Sequence, residues 1–292
     1  MKLSVCIPVY NFDVRELVYE LKNQIEDDHL DAEIILIDDA SNSEFKEINI
    51  EVAKHVENFI FLENNIGRAA IRNQFLNYAS GDFLLFLDCD VTIKNHDFLK
   101  KYMNVIEDNP STNVFYGGFV PDSRKNLRNL YTLKRESSIN YNPDDIKQLK
   151  TVNFVVDKEI LIKFPFDELL VDYGYEDFIF AKQLENNNIV FQAIDNPVIH
   201  SDNDTNEDFL KKTDTAIDTL VKLSKLQDKH ALIKDIKLFH TANKIKTLKL
   251  EGIFLILFNF SKNIISLNLK SRWPSLFLFD IYRLGILVGK MK

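Results

Sequence analysis

The chain has 292 residues, of which 46% are hydrophobic, and it contains only 8 Gly and 7 Pro. This composition supports a full hydrophobic core and excludes a disordered or low-complexity protein. The net charge of −8 is unevenly distributed. Residues 222–292 carry 14 Lys and Arg but four acidic residues, which makes this segment +10 and the preceding residues −18. We expect the two parts to meet different environments, and we expect no nucleic-acid partner.

The beginning of the chain and its cysteines favour a cytoplasmic protein. A predicted strand follows Met1 almost directly, so we expect no signal peptide. No uninterrupted apolar run approaches the roughly 20 residues that span a bilayer. Cys6 and Cys89 lie in or at the end of predicted buried strands without metal-ligand spacing. We therefore expect a reducing compartment and two inert thiols.

The first 80 residues alternate between predicted strands and helices. Short apolar strands are predicted at Leu3–Val9, Glu33–Ile37 and Phe59–Leu62. Helices are predicted after Asp13 as the N-cap, over residues 43–56, and from Gly67 to about Tyr78. Such alternation is typical of a parallel, doubly wound sheet with right-handed crossovers.

The next segment, Phe83–Asp90, places two carboxylates directly after an apolar run. Its first five residues are all apolar, which predicts a buried and central strand. Asp88 and Asp90 follow at the carboxyl end, where open α/β sheets bind ligands. Because parallel strands end at one edge, we expect the polar residues after the earlier strands to converge there. Oxygen ligands at this spacing suit a divalent cation that carries phosphate.

The second half of the chain has a less regular pattern. Strands are predicted at Val114–Val120, Val152–Val156 and Ile189–Ala193, and helices at Glu176–Glu185 and residues 206–227. Residues 123–150 are predicted as helix and loop, and they follow no pattern that identifies an acceptor.

Five segments in this order resemble the motifs of family 2 glycosyltransferases with the GT-A fold. Each segment alone is weak, but their order and spacing are specific, and the resemblance covers about residues 3–225. The segments are Val5–Asn11, Ile37–Ser41, Asn65–Asn73, Gly81–Asp90 and Gly174–Asp177. The resemblance implies an α/β fold of the GT-A, Rossmann-like type, with a mostly parallel sheet flanked by helices and a helical C-terminal extension.

The same resemblance implies how the chain is divided. A glycosyltransferase domain is expected over residues 1–227, with a nucleotide-binding half to about residue 92 and an acceptor half from about 93. Residues 228–292 are then a basic, apolar and helical extension.

The resemblance also implies a nucleotide-sugar donor, which we expect to be UDP-linked. Pro8, Tyr10 and Asp39 are then expected at the nucleotide, where a carboxylate can accept from a base N–H. Arg68 lies at a helix start, where its charge and the helix dipole both favour a diphosphate. Asp88 is expected to reach the ribose or a metal-bound water.

A divalent metal, manganese or magnesium, is the cofactor that the resemblance implies. Asp90 is expected to bind it directly, with Asp88 and His200 completing the ligand set. A neutral imidazole beside carboxylates suits manganese better than calcium.

Asp177, with Glu176 beside it, matches the acidic pair that the family places near the acceptor. We expect Asp177 to be the base that deprotonates an acceptor hydroxyl during a single inverting displacement. The expected activity is that of a hexosyl- or N-acetylhexosaminyltransferase. Its acceptor is expected to be a glycan or a lipid-linked glycan in surface polysaccharide assembly.

Structural interpretations of the same residues stay open at this stage. Asp38-Asp39 can cap a helix after a strand, and Glu176-Asp177 can begin a helix, where acidic residues are favoured. His200 can be structural. Arg72 and Asn73 are expected to fix their helix against the sheet rather than to contact the donor.

Two other functions also fit part of the sequence. Residues 87–92 match the haloacid-dehalogenase phosphatase pattern, in which Asp88 is the nucleophile and Asp90 the acid. That family carries this motif on its first strand, whereas three predicted strands precede it here. A non-catalytic nucleotide-sugar-binding protein is the second alternative.

The C-terminal extension contains two strongly apolar segments among lysines, Gly252–Phe260 and Leu276–Val288. One hypothesis is an amphipathic patch on the anionic inner face of the membrane. The other is a helical cap on the sheet or a homodimer interface.

Overall fold

The computed structural model describes residues 1–137, 149–201 and 204–292. Contacts among these residues divide the chain into two compact units. The first unit consists of Met1–Asp122, Glu136–Val171 and Glu176–Ser201, and the second of Ser123–Arg135, Asp172–Tyr175 and Asp202–Lys292. The helix predicted at 206–227 therefore lies in the second unit together with the extension. The predicted division into residues 1–227 and 228–292 stays a prediction.

The first half of unit one follows the predicted alternation. Its strands are β1 (Leu3–Val9), β2 (Ala32–Asp38), β3 (Asn58–Phe61), β4 (Phe83–Leu87) and β5 (Val91–Thr92). Its helices are α1 (Arg15–Asp27), α2 (Ser43–Asn49), α3 (Gly67–Gln74) and α4 (Phe98–Asp108). Short 3₁₀ helices, Ile50–His55 and Phe75–Asn77, extend α2 and α3. The ends differ from the predicted ones by a few residues, as helix and strand ends commonly do.

The remaining elements complete both units. The strands are β6 (Val114–Tyr116), β7 (Phe119–Pro121), β8 (Asn153–Asp157), β9 (Phe191–Ala193) and β10 (Val198–His200). The helices are α5 (Leu127–Tyr131), followed by a π-helical turn at Thr132–Glu136, and then α6 (Lys158–Lys163), α7 (Glu176–Asn186) and α8 (Asn206–Lys225). The C-terminal helices are α9 (Gln227–Ile233), α10 (Lys237–Thr247), α11 (Glu251–Lys270) and α12 (Leu276–Lys290).

The main sheet has seven strands in the order β3-β2-β1-β4-β8-β6-β9. Strands β3, β2, β1 and β4 run parallel, β8 runs antiparallel to β4 and β6, and β6 is parallel to β9. The predicted central strand is therefore confirmed, because β4 occupies the fourth of seven positions. A small second sheet has the order β5-β10-β7.

Helices cover both faces of the main sheet, and the side chains of β4 show this directly. Leu85 and Leu87 belong to the core cluster that includes α1 and α4. Leu84 and Phe86 belong to the opposite cluster, which includes α3, α6 and α7. Since both faces of the strand are buried, its residues are apolar at every position rather than at alternate ones.

Two sequence predictions need correction. Residues 114–120 form two strands instead of one, because a Cβ at Gly117 would lie 2.5 Å from the Asn196 carbonyl oxygen and Gly118 has a φ of +70°. Helix α1 begins at Arg15 with Val14 at the N-cap position, and Asp13 instead accepts a hydrogen bond from the Arg15 N–H at 3.1 Å.

Among the described residues, α11 is one helix that is long and apolar enough to cross a membrane by length and composition. The sequence prediction missed it because Asn259, Lys262 and Asn263 interrupt the apolar run. Only 22% of its most apolar window is buried.

Glu33 at the amino-terminal side of the sheet holds three chain segments together. Its carboxylate accepts hydrogen bonds from Ser4 Oγ at 2.6 Å, Lys2 Nζ at 2.9 Å, and the Ser80 N–H at 2.6 Å. Burial raises the pKa of Glu33, but these hydrogen bonds outweigh it and lower the pKa from 4.5 to about 2. The ionised carboxylate therefore stabilises the folded state.

We predict that Glu33→Gln lowers the free energy of unfolding at pH 7 by about 2–3 kcal/mol. Because the folded pKa is depressed, the contribution of the carboxylate is present above pH 4.5 and disappears as the pH falls towards 2. Denaturant unfolding at a series of pH values should show the difference between variant and wild type shrinking in acid. Exposed Glu47→Gln is the matched control and should change little. A difference that is independent of pH would contradict the prediction.

Candidate active site

The loop after β1 brings Pro8 and Tyr10 to the carboxyl edge of the sheet. Pro8 pairs with Ile37 in the parallel register of β1 and β2. Tyr10 follows the end of the strand and is 54% exposed. Burial raises the pKa of the Cys89 thiol, although a hydrogen bond from the Tyr10 backbone opposes this. The Tyr10 loop therefore lies beside the end of β4, and the thiol there is held in its protonated, unreactive form.

The loops that follow β1 and β2 are joined to each other. The Asn11 N–H donates to Ser41 Oγ at 2.8 Å, and Asn11 Oδ1 accepts from the Asn42 N–H at 2.8 Å. Asn11 and Ala40 both have a left-handed backbone, with φ of +48° and +61°. This conformation is uncommon for a residue such as Ala. The reciprocal hydrogen bonds thus fix two loops in a shape that the chain would not adopt alone.

The two acidic residues at the end of β2 both bond to backbone N–H groups. Asp38 Oδ1 accepts from the Ser41 N–H at 2.8 Å. Asp39 accepts from the N–H groups of Ile66, at 2.7 Å, and Gly67, at 3.2 Å, and so caps the start of α3. Burial raises the pKa of Asp39, and these two bonds oppose the rise. Asp39 thus caps α3 rather than α2, the helix that directly follows its own strand, and contact with a nucleotide stays a prediction.

The first turn of α3 carries Arg68 towards the start of α7. Gly67 has a φ of +83°, and a Cβ there would lie 3.2 Å from the Val171 carbonyl oxygen, so the turn before Arg68 favours glycine. Arg68 Nη1 lies 3.6 Å from Glu176 Oε1. The side chain of Arg68 is 51% exposed, whereas that of Glu176 is 7% exposed. The sequence-predicted diphosphate and acceptor residues therefore contact each other.

Asp88 forms a buried ion pair with Arg72. Arg72 Nη2 donates to Asp88 Oδ1 at 2.7 Å, and Arg72 Nη1 donates to the Arg68 carbonyl at 2.9 Å. Asn73 exchanges two hydrogen bonds with the backbone of Phe166, at 2.9 and 3.0 Å. Arg72 and Asn73 thus fix α3 against the end of β4 and the neighbouring loop, as the sequence analysis expected.

Asp90 lies beside His200 because two very short strands pair. His200 is opposite Val91 in the antiparallel register of β10 and β5. Its Nε2 is 3.2 Å from Asp90 Oδ2, and the Ser201 N–H donates to the Asp90 carbonyl at 2.9 Å. Burial raises the pKa of Asp90, but the hydrogen bond from His200 together with the nearby charges of His200 and Arg68 lowers the pKa overall.

Asp88, Asp90 and His200 form a group that fits a divalent metal. One ligand atom from each residue lies within 4.8 Å of the others. Two carboxylate oxygens and an imidazole nitrogen are a donor set that suits manganese or magnesium better than a soft metal. The structure thus brings together the three residues predicted as metal ligands, which are the ones that would hold the ion, and metal binding itself stays a prediction.

Asp177, the predicted base, is paired with a lysine that no motif indicated. The residue lies in the first turn of α7 and accepts from Lys150 Nζ at 2.6 Å and from the Phe178 N–H at 2.7 Å. Burial raises the pKa of Asp177, but the charge and hydrogen bond of Lys150 outweigh it and lower the pKa overall. Asp177 is therefore ionised and able to accept a proton at neutral pH.

Lys150 is the residue of this site that the sequence analysis missed. It lies in an irregular segment between residues 138–148, which are outside the described ranges, and β8. No periodicity or motif points to it. The only available signal was that a buried carboxylate at Asp177 requires a cationic partner.

A model of the Glycosyl transferase family 2 matches residues 4–170, which is more than half of the chain. The chain belongs to this family. The match includes the loops after β1, β2 and β4, together with α3 and Lys150. Membership of the glycosyltransferase family argues against the phosphatase alternative, in which Asp88 would act as a nucleophile.

Curated relatives of this glycosyltransferase match part of their own length. The poly(ribitol-phosphate) beta-glucosyltransferase of Bacillus spizizenii is 34% identical over 116 residues, which are 38% of this chain and 18% of that protein. An uncharacterized glycosyltransferase of Methanocaldococcus jannaschii is 27% identical over 184 residues, 60% of this chain and 62% of that protein. The chain thus spans less than two thirds of the length of these curated relatives.

Solved structures confirm the GT-A fold of this family 2 glycosyltransferase. The crystal structure of S. aureus TarS 1–349 has a TM-score of 0.55 at 19% identity and covers 100% of this chain and 89% of that one. The mannosyltransferase PcManGT from Pyrobaculum calidifontis, solved with GDP-Man and Mn2+, has a TM-score of 0.59 at 14% identity, covering 99% and 86%. TarS has also been solved with UDP and with UDP-GlcNAc.

We predict that Mn²⁺ binds this glycosyltransferase through the Asp88, Asp90 and His200 group. Asp90→Asn and His200→Gln should each weaken binding at least about tenfold, because each removes a ligand of the expected set. Calorimetric titration of the full chain with MnCl₂ measures the affinity. Glu16 is a suitable control, since its carboxylate lines the cavity of about 410 Å³ beside Asp90 without joining the ligand group. If Glu16→Gln weakens binding as much as Asp90→Asn, the assignment is wrong.

Proposed function

We propose that the chain is a metal-dependent inverting glycosyltransferase that moves a sugar from a nucleotide-sugar donor to an acceptor hydroxyl. The observation that carries this proposal is the meeting of two groups in unit one. The candidate metal ligands Asp88 and Asp90 follow β4, and the candidate base Asp177 begins α7. Arg68 links them, since it contacts Glu176 and its charge lowers the pKa of Asp90. Donor activation and acceptor deprotonation are thus supported within one site.

The proposed reaction is a single displacement at the anomeric carbon. The acceptor oxygen forms the new glycosidic bond while the bond to the donor phosphate breaks, and the bonding electrons leave with the nucleoside diphosphate. The carboxylate of Asp177 takes the acceptor proton as its oxygen attacks. One displacement inverts the configuration, so an α-linked donor gives a β-linked product. A bound divalent metal supplies positive charge that stabilises the departing diphosphate.

The donor is proposed to be held by Asp39, by Arg68 and by the loop that contains Pro8 and Tyr10. Tyr10 is exposed enough to lie against a base, and Arg68 is exposed enough to reach a phosphate while it contacts Glu176. Asp88 is placed by Arg72 and is proposed to contact the ribose or a metal ligand. The N-terminus of α3, immediately before Arg68, adds a favourable dipole for the diphosphate.

Lys150 is proposed to keep Asp177 both charged and oriented. A buried carboxylate without a nearby cation has a raised pKa, so it keeps its proton up to a higher pH and cannot act as a base there. The salt bridge occupies Asp177 Oδ2, and among the described residues the other oxygen accepts from the backbone N–H of Phe178. Oδ1 thus retains a lone pair with which it can accept the proton of an acceptor hydroxyl.

We propose a UDP-linked hexose or N-acetylhexosamine as the donor, and a polysaccharide or lipid-linked glycan as the acceptor. The UDP-GlcNAc complex of TarS supports the first choice. The name of the relative from Bacillus spizizenii, poly(ribitol-phosphate) beta-glucosyltransferase, supports a polymeric acceptor and a β-linked product. A cytoplasmic location is proposed as well, and the two free, buried or half-buried cysteines are consistent with it.

We predict that Asp177→Asn keeps donor binding but lowers sugar transfer by about 10²–10⁴-fold, because the amide cannot accept the proton. A thermal-shift panel of UDP and GDP sugars with Mn²⁺ identifies the donor first, since a ligand of the folded state raises the Tm. Transfer to acceptor mixtures is then measured by release of the nucleoside diphosphate. Asp167→Asn changes a carboxylate outside the motifs and is the control, which should transfer sugar as the wild type does.

The outcomes separate the remaining alternatives. Donor binding without turnover against any acceptor by the wild type would favour a non-catalytic binding protein. Equal turnover by Asp177→Asn and wild type would exclude Asp177 as the base while leaving the glycosyltransferase intact.

We predict that Lys150→Met shifts the acidic limb of the transfer rate to higher pH. Lys150 lowers the pKa of Asp177, so its removal raises that pKa, and the carboxylate then loses its charge at a higher pH. Rates measured from pH 5 to 9 show the shift. Lys163→Met removes an exposed lysine from α6 and should leave the profile unchanged. A uniform fall in rate at every pH would mean that Lys150 acts only through structure.

A further inference from the structure

Helix α11 in unit two exposes a continuous row of large apolar side chains, which we call the apolar stripe. At 3.6 residues per turn these positions fall within an arc of about 100° along a helix of about 30 Å. Each side chain is between 59% and 83% exposed. The stripe consists of Ile253, Ile256, Leu257, Phe260, Ile264 and Leu267. A surface of this size and regularity indicates an interaction site rather than scattered exposed residues.

The opposite face of α11 is already packed within unit two. Leu255, Phe258, Ile265 and Leu269 are buried, and the last three belong to a core cluster shared with α8 and α12. A Cβ at Gly285 of α12 would lie 2.4 Å from the ring of Phe258, so the two helices are in close contact. If α11 crossed a bilayer alone, this packed face would have to separate from its neighbours. The helix is therefore placed to lie along a surface with the stripe turned outwards.

Basic residues and a tryptophan lie at the ends of the stripe. Lys249 precedes α11, Lys270 ends it, and Arg272 follows with its guanidinium 5.6 Å from the centre of the Trp273 ring. Trp273 and Phe277 are 71% and 72% exposed. Apolar side chains bordered by cations and an exposed tryptophan are typical of helices that lie at the lipid–water interface.

We propose that the apolar stripe of α11 docks unit two on an anionic membrane surface, with the helix lying in the plane of the interface. The stripe enters the apolar boundary, and Lys249, Lys270 and Arg272 meet the lipid headgroups. The charge of +10 over residues 222–292 attracts this part of the chain to anionic lipid. The cytoplasmic leaflet, which is negatively charged, is the surface that fits.

A second copy of the chain fits this surface less well. In a two-fold interface, each copy would bring its own stripe and its own basic border to its partner. Lys249, Lys270 and Arg272 would then meet like charges, which disfavours the contact. An anionic lipid surface instead complements both the apolar row and its border.

The test uses the full-length chain and two kinds of vesicle, phosphatidylcholine alone and phosphatidylcholine mixed with phosphatidylglycerol. Trp273 is the one tryptophan of the sequence, so its emission reports directly on the stripe. We expect co-sedimentation and a blue shift of this emission with the anionic vesicles, and release by about 1 M salt. Neutral vesicles should bind far less.

Two variants test the stripe and its border separately. Leu257→Ser with Phe260→Ser should lower the partition coefficient at least about tenfold, because two of the apolar side chains that enter the membrane are lost. Lys249→Glu with Arg272→Glu should abolish the preference for anionic lipid. The control Ile162→Ser replaces a 51% exposed apolar residue of α6 and should bind as the wild type does. Circular dichroism and Tm confirm folding, and the charge variant provides the test if the serine variant does not fold.

Three results would overturn the proposal. The first is vesicle binding that neither variant reduces. The second is equal, salt-resistant binding to neutral and anionic vesicles, which would indicate insertion across the bilayer. The third is a concentration-dependent dimer in sedimentation velocity that the serine variant abolishes, without vesicle binding, which would make the stripe an interface between copies.

Discussion

The buried ion pair of Arg72 and Asp88 is the interaction on which the candidate site depends. The side chains are 2% and 13% exposed, so two charges are held almost out of water at 2.7 Å. Removing one partner of such a pair typically costs about 3–5 kcal/mol, because the other charge is left buried. Arg72 also donates to the carbonyl of Arg68. A single guanidinium therefore places both the metal-side carboxylate after β4 and the cation proposed to meet the diphosphate.

The same pairing of charges recurs at each acidic residue of the site. Asp88 is paired with Arg72, Asp90 with His200, Glu176 with Arg68, and Asp177 with Lys150. Carboxylates near one another repel, and a partner at each of them offsets this repulsion. Arg72, Arg68 and Lys150 bring positive charge to Asp88, Glu176 and Asp177, and His200 donates a hydrogen bond to Asp90. The partners that are most exposed, such as Arg68, are the ones best able to turn towards a ligand.

Much of this arrangement could be predicted from the sequence. The features that could not be predicted have identifiable physical reasons. The apolar run of β4 predicted a strand buried on both faces, and the acidic residues after it predicted the ligand edge. The run of β8 looks the same, yet that strand is antiparallel, because an apolar run carries no information about direction. His200 reaches Asp90 through the pairing of two- and three-residue strands, which are too short for any period. Lys150 lies in no regular element, so only the need of Asp177 for a cation pointed to it.

Helix α11 shows a further limit of sequence patterns, since both of its faces are apolar. A helix that is apolar all round is expected to be buried or to span a membrane. In unit two the contacts with α8 and α12 cover one face, and the other carries Phe260, at 83% exposure. The composition alone cannot distinguish these two faces. The packing shows that one face is part of the core of unit two, while the other is exposed and available to a partner. The basic border of Lys249, Lys270 and Arg272 then favours an anionic surface, because these residues attract negative charge and would repel the same border on a second copy.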